Sequence, residues 1–172
     1  MKTRIAILGI VVVLFIGMVV GKAVLYAADP AASVTIDTTN AKPRQVEELT
    51  EKALVREYTA AWQNLSRALK ENNAGILQEN FVGAAQQTFA KQIEKQKSKN
   101  ISSTYIDRGH KVDVMFYSPE GSAIQFRDTA NLELQVLDGG KVIYSEPVQQ
   151  QYVGVMTVTG DRWKVRVLQA TK

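Results

Sequence analysis

Between Arg4 and Lys22 lies the feature that limits every other choice, because from Ile5 to Val20 no charged or polar side chain occurs. Water is a poor solvent for such a run and a bilayer a good one. After Gly21 and Lys22 the apolar character resumes at Ala23 and carries to Ala28. A secretory signal has an apolar region of roughly 7 to 15 residues and a small-x-small cleavage site, whereas a spanning helix needs about 20 apolar residues. The segment falls between the two. Cleavage after Ala27 places Leu25 at the third position back, cleavage after Ala28 places Tyr26 there, and the Gly21–Ala23 triplet has Lys22 in its middle. These poor sites favour a retained anchor over residues 1–28, with Lys22 snorkelling to the interface, and leave a cleaved signal as the alternative. Lys2 and Arg4 precede the run and Asp29 follows it. The positive-inside rule then predicts a single-pass membrane protein with a cytoplasmic N-terminus and a periplasmic or extracellular chain from Asp29 onward.

Of the 172 residues, the part beyond the anchor is enough for one core and not for two. The sequence pI of 9.3 invites a nucleic-acid reading. Yet Lys2, Arg4 and Lys22 all belong to the first 28 residues, which hold no acid, and the remaining basic and acidic side chains nearly balance. No nucleic-acid partner is expected from such a surface. The chain has no cysteine and one histidine, which excludes disulfides, thiolate chemistry and histidine-rich metal sites. No phosphate-binding glycine loop or nucleophile elbow is present either, so neither metal nor cofactor is expected.

Residues 29–42 shift to Ala, Ser, Thr, Asp, Asn and Pro, with Val34 and Ile36 the only sizeable apolar side chains, the composition of a tether. Fully extended it reaches roughly 45 Å, enough to stand a domain off a bilayer. Residues 43–172 form the domain. Pro43 suits a first helical position, and Val46, Leu49, Ala53, Leu54, Tyr58, Ala61, Trp62, Leu65, Ala68 and Leu69 follow at spacings of three and four, an amphipathic helix. A short second helix is expected over Gly75 to Asn80 and a third from Ala84 to about Lys99, with Lys91, Lys95, Lys97 and Lys99 on its outer side. After Ser102 the period becomes two and the apolar residues β-branched and aromatic, the pattern of strands. Ser118–Gly121, Asp138–Gly140 and Gly160–Asp161 supply the turns, and Pro147 predicts a bulge or bend near Glu146 to Val148.

A long helix carrying Tyr58, Ala61, Trp62, Leu65 and Leu69, then Phe81 and Gly83, then a meander closed by Gly160, Asp161, Arg162, Trp163, Lys164 and Val165 resembles the nuclear transport factor 2-like superfamily. The resemblance covers roughly residues 46–170. It implies an α+β cone: three helices packed on a strongly bent four-stranded antiparallel sheet, here behind an N-terminal transmembrane helix. With the anchor added, the chain is similar to the bitopic components of bacterial type IV secretion complexes and to the membrane proteins associated with mammalian-cell-entry transport systems. In those families the cone is mainly an assembly module. That implies a scaffold role, with envelope-complex proteins or a second copy as partner; other relatives of the fold are isomerases, cyclases or dehydratases.

Chemistry of the latter kind needs a buried base near a phenol or a second acid. His110 keeps parity with Val112, Val114 and Phe116, and Asp128 keeps parity with Phe126 and Ala130, so an unbulged pairing aims both at the apolar side. Tyr58, Tyr105, Asp107 and Tyr152 complete the candidate pocket. A bulge at Gly109 that turns His110 outward, and Arg127 marking a rim position, would leave the same residues with surface roles. For association the candidates are Val153, Val155 and Leu168: apolar residues occupy both parities of the last two strands, where a strand with one wet face would alternate cleanly. Coverage of that second face by the third helix is the competing explanation.

Overall fold

The computed structural model describes residues 33–171 of the 172. The expected anchor over residues 1–28 lies outside them, and among the described residues no helix is long and apolar enough to cross a membrane. The elements run β1 (Val34–Asp37), β2 (Lys42–Pro43), α1 (Glu48–Lys70), a 3-10 turn (Ala74–Glu79), α2 (Gly83–Lys97), β3 (Ile101–Tyr117), β4 (Ala123–Asp138), β5 (Lys141–Thr159) and β6 (Arg162–Ala170).

The long helix forms because Leu54, Tyr58, Ala61, Trp62, Leu65, Ala68 and Leu69 share one buried face, while Glu48 and Glu51 sit in its first turn and Arg67 and Lys70 in its last, each sign where the helix dipole favours it. It begins later than Pro43. Pro43 instead follows a cis peptide bond and lies in β2, and Leu49, expected on the apolar stripe, is 81% exposed. Past the helix Asn72 adopts positive φ, and Asn73 caps the 3-10 turn by accepting from the Gly75 N–H.

The sheet is mixed and six-stranded, where four antiparallel strands, strongly bent, were expected. Its main path β1-β3-β4-β5-β6 is open, and β2 pairs beside β1 on β3. The two additional strands come from the stretch that reads as tether. Val34–Asp37 runs parallel to β3 with Val34 opposite His110 and Asp37 opposite Asp113, and Val34 and Ile36 pack against the core. Two apolar side chains are a weak signal by themselves; what orders them is the free ladder of β3, to which Thr35 Oγ1 also donates at the His110 carbonyl. Farther back along the same edge, Ser66 of α1 takes the neighbouring strand's place, accepting from the Tyr105 N–H at 3.0 Å.

Both long helices pack on the face that carries Ile124, Phe126, Asp128, Ala130 and Leu132 of β4. Gln96 ties them together, donating to the Leu69 carbonyl and to Asn72 while accepting from Ser103. Pro147 makes no bulge: it pairs in regular register with Glu133. Because β6 extends only to Ala170 opposite Tyr152, β5 is an edge at that point, and a missing N–H is tolerated there. The irregularities fall elsewhere, one between Asp107 and Gly109, one between Val114 and Phe116, one opposite Val136 and Leu137, and one where Val155 and Met156 face Val167 and Val165. Gly154, directly opposite Phe126, is required by contact, since a Cβ there would lie 2.2 Å from Phe126 Cζ.

Candidate functional site

The bulge at Arg108 builds the site. A regular strand would put Asp107 and His110 on opposite faces, because side chains alternate. One additional residue, with Gly109 at φ 141°, restores both to the helix-covered face; a bulge is present, as in the alternative reading of Gly109, but it goes with His110 turning inward. There His110 Nε2 meets Asp107 Oδ2 at 3.1 Å, and Nδ1 meets Asp128 Oδ2 at 2.8 Å from the next strand. The Tyr58 hydroxyl donates to the same Asp128 oxygen at 2.7 Å. Trp62, one turn along α1, lies over the imidazole with ring centroids 4.6 Å apart. Tyr152 stands opposite Asp128 in the sheet register and packs edge-on against Trp62, as does Tyr105. All of the pocket candidates therefore converge: Tyr58, Asp107, His110, Asp128, Tyr152 and Tyr105.

The centre of the cluster is buried and its margin is not. The His110 and Asp128 side chains have no exposed area, and Asp107 retains 19%. Burial disfavours the imidazolium, but the hydrogen bonds to Asp107 and Asp128 and the charges of both carboxylates outweigh it and hold the His110 pKa up at about 9. At neutral pH both ring nitrogens are thus donors committed to carboxylates, which leaves no lone pair to take a proton from a substrate. Burial, then the charge of Asp128, pushes the Tyr58 phenol well above its ordinary range; burial, then Tyr105 and Asp128, raises Tyr152. Within the cluster two buried atoms have no hydrogen bond, Asp128 Oδ1 and Trp62 Nε1. Phe126 and Trp62 fill the space around them, in edge contact with Tyr58. Among the described residues no group of acids and histidine is arranged to hold a metal ion.

Two surface recesses flank the cluster and border its outer members, Tyr105 in one and Asp128 and Tyr152 in the other. A groove of about 260 Å³ runs between the end of α2 and β3–β4, over Ile101, Tyr105, Leu134 and Val136, with Lys95 and Lys99 at its rim. A recess of about 510 Å³ on the far side of the sheet is lined by Asp113, Arg127, Asp128, Thr129, Gln151, Tyr152, Val153 and Thr171. Val153 and Val155 lie half-buried on that far face, which carries no helix among the described residues. Leu168 does not join them: the bulge at Arg166 turns it to the inner face opposite Gly154, where it is buried in the core. That correction removes Leu168 from the outer patch, and it also removes the third helix as its cover, since α2 sits on the inner side.

Sequence reasoning missed the place of Trp62 on the imidazole, and it missed Glu57. Glu57 is buried at 3% exposure, where it pairs with Arg162 at 2.8 Å and Arg56 at 3.0 Å. A usable signal was its position beside Tyr58 on the buried side of a stripe otherwise free of charge.

No family model and no curated protein matches the sequence. Solved structures do. The intermembrane space region of chloroplast protein ARC6 is similar at TM-score 0.58 and 13% identity, with 74% of this chain and 98% of that one covered. A protein from Catenulispora acidiphila follows at 0.51 and 11%, covering 72% and 94%, and Aln2 from a Streptomyces species at 0.50 and 8%, covering 75% and 94%. At such identities the likeness is one of fold alone. With the order long helix, short turn, second helix, then four long strands with the helices on one face, the fold is of the nuclear transport factor 2-like kind.

Proposed function

We propose that this chain is a membrane-tethered, extracytoplasmic assembly module of a cell-envelope complex, without catalytic activity of its own. The observation that carries the reading is the buried centre of the cluster: the His110 and Asp128 side chains have no exposed area, and the imidazole lies between two carboxylates. Such a network specifies and rigidifies a core more readily than it turns over a substrate. The apolar run from Ile5 to Val20 supports the tether, and the half-buried Val153 and Val155 on the uncovered sheet face offer a surface for a partner or a second copy. The test is purification of the tagged full chain in mild detergent, followed by light scattering and mass spectrometry of whatever accompanies it. Partners or self-association are expected. A chain that runs alone as a monomer overturns the proposal.

One observation favours a second reading, a ligand-binding or isomerase- or cyclase-like domain. Asp128 Oδ1 and Trp62 Nε1, an acceptor and a donor, are buried and unpaired side by side with the His110 network, and buried polar groups ordinarily find partners. A small polar molecule reaching them would raise the melting temperature of the wild type and not of Asp128→Asn. A screen of hydroxylated and carbonyl compounds that moves neither rules this reading out.

A further inference from the structure

The direction of β1 tells which end of the domain faces the tether. β1 runs parallel to β3, Val34 beside His110 and Asp37 beside Asp113, so the N-terminal end of β1 is directed toward the Ile101 end of β3. At that end lie the β4–β5 turn, whose Asp138 pairs with both Ile101 and Lys141, and the last turn of α2. The distances matter. Six residue steps separate Ala28 from Val34, a span of at most about 21 Å. Nine separate His110 from Ile101, about 30 Å along a strand. The tether that the sequence leads one to expect is shortened by the pairing of Val34–Asp37, and what remains is too short to hold the hairpin end away from the surface in which residues 1–28 would sit.

That end has the chemistry of a bilayer interface. Val142, Ile143 and Tyr144 are 50%, 62% and 49% exposed on consecutive positions of β5. Lys95, Lys97, Lys99 and Lys141 are all exposed and make no ion pair among the described residues. The acids nearby are Glu71, next to the Asn72 that donates to the Ile101 carbonyl, Glu94, Asp138 and Glu146, and the last accepts from the Tyr144 hydroxyl. Basic side chains around exposed aliphatic and aromatic ones suit an anionic interface, where headgroups attract the lysines and the acyl boundary takes the apolar tips. The groove over Leu134 and Val136, rimmed by Lys95 and Lys99, opens at the same end. We infer that the β4–β5 hairpin and the C-terminal end of α2 form a docking surface that rests on an anionic lipid bilayer, Val142, Ile143 and Tyr144 entering the interface while Lys95, Lys97, Lys99 and Lys141 meet its headgroups. This inference rests on the tethered reading and adds to it a fixed orientation, with the far face of the sheet left free for protein partners.

The chain has no cysteine, so Ile143→Cys and, at the opposite end, Asp161→Cys each give a single nitroxide site. The full chain is reconstituted into vesicles of phosphatidylcholine alone or mixed with phosphatidylglycerol, vesicle binding is measured by flotation, and collision of the nitroxide with oxygen and with a water-soluble nickel chelate by electron paramagnetic resonance. In mixed vesicles position 143 is expected to favour oxygen over nickel several-fold more than in phosphatidylcholine, while position 161 stays aqueous. Converting the four lysines to Gln, with circular dichroism as the folding check, is expected to return position 143 to water while flotation persists. Failure to float overturns the tethered reading itself. Flotation with an aqueous position 143 leaves the tether standing and overturns the docking surface. A shielded position 143 with dipolar broadening between labels shows an interface between copies, and one shielded without regard to lipid charge or lysines shows a protein contact; either result overturns the inference.

Discussion

His110 makes the stability of the domain depend on pH in a direction opposite to that of a neutral buried histidine. Its folded pKa of about 9 lies above the usual value of 6.5, because Asp107 and Asp128 hold the imidazolium. A group raised on folding contributes stability that is fully present below its unfolded pKa and lost as pH rises through the folded one. The window therefore runs from about pH 6.5 to about pH 9, and a rise of this size corresponds to about 3 kcal/mol. No discount for solvent applies, since the side chain has no exposed area. The assay is urea unfolding of the full chain in detergent, followed by the fluorescence of Trp62 and Trp163, at intervals between about pH 6 and about pH 9.5. The upper limit avoids the range in which unfolded tyrosines ionise. Wild type should lose about 3 kcal/mol across this span, and His110→Gln, though less stable throughout, should be nearly flat. An imidazole that titrates near 6.5 by nuclear magnetic resonance in the folded protein, or a slope that survives in His110→Gln, would refute the reasoning.

Trp62 is 3% exposed on the buried face of α1, so truncation to Ala should cost about 3 to 5 kcal/mol, checked by chemical denaturation; easy quenching of its native fluorescence by acrylamide would contradict the packing. Gly154→Ala should destabilise by about 1 to 3 kcal/mol because the added methyl meets the Phe126 ring, and Phe126→Leu in the same chain should recover part of the loss; an unchanged melting temperature for Gly154→Ala alone would disprove the contact. Replacing Val153 and Val155 together with Lys should leave the fold intact by circular dichroism and lower the mass measured by light scattering; a wild type already monomeric at high concentration would exclude self-association through this face.

The parts of the fold that could be read from the chain are those in which one residue period persists. The three-and-four spacing of Leu54, Tyr58, Ala61, Trp62 and Leu65 gives α1, and the alternation of Ile124, Phe126, Asp128 and Ala130 gives the inner face of β4, candidate acid included. What escaped are places where geometry depends on a neighbour. β1 has only Val34 and Ile36 to mark it, and its order comes from the free ladder of β3. Bulges leave little trace in composition, yet the one at Arg108 decides that Asp107 shares a face with His110, and the one at Arg166 decides that Leu168 belongs to the core. Pro43 and Pro147 misled for a related reason: each reads as punctuation locally, and each is accommodated by the edge it lies on.

The short reach of β6 has a further consequence. Because backbone pairing on that side of β5 ends where Thr171 donates to the Gln151 carbonyl, the stretch from Lys141 to Gln150 has, among the described residues, no strand beside it. Such an edge is a template on which another chain can add a strand, the usual first step of sheet-to-sheet aggregation. Pro147 interrupts the row of donors near its middle, Glu146 places a charge next to the gap, and Lys141 guards the start. The proline that looked like a bend in the strand thus acts as a gatekeeper, keeping an exposed and partly apolar arm from recruiting copies of itself while the domain folds.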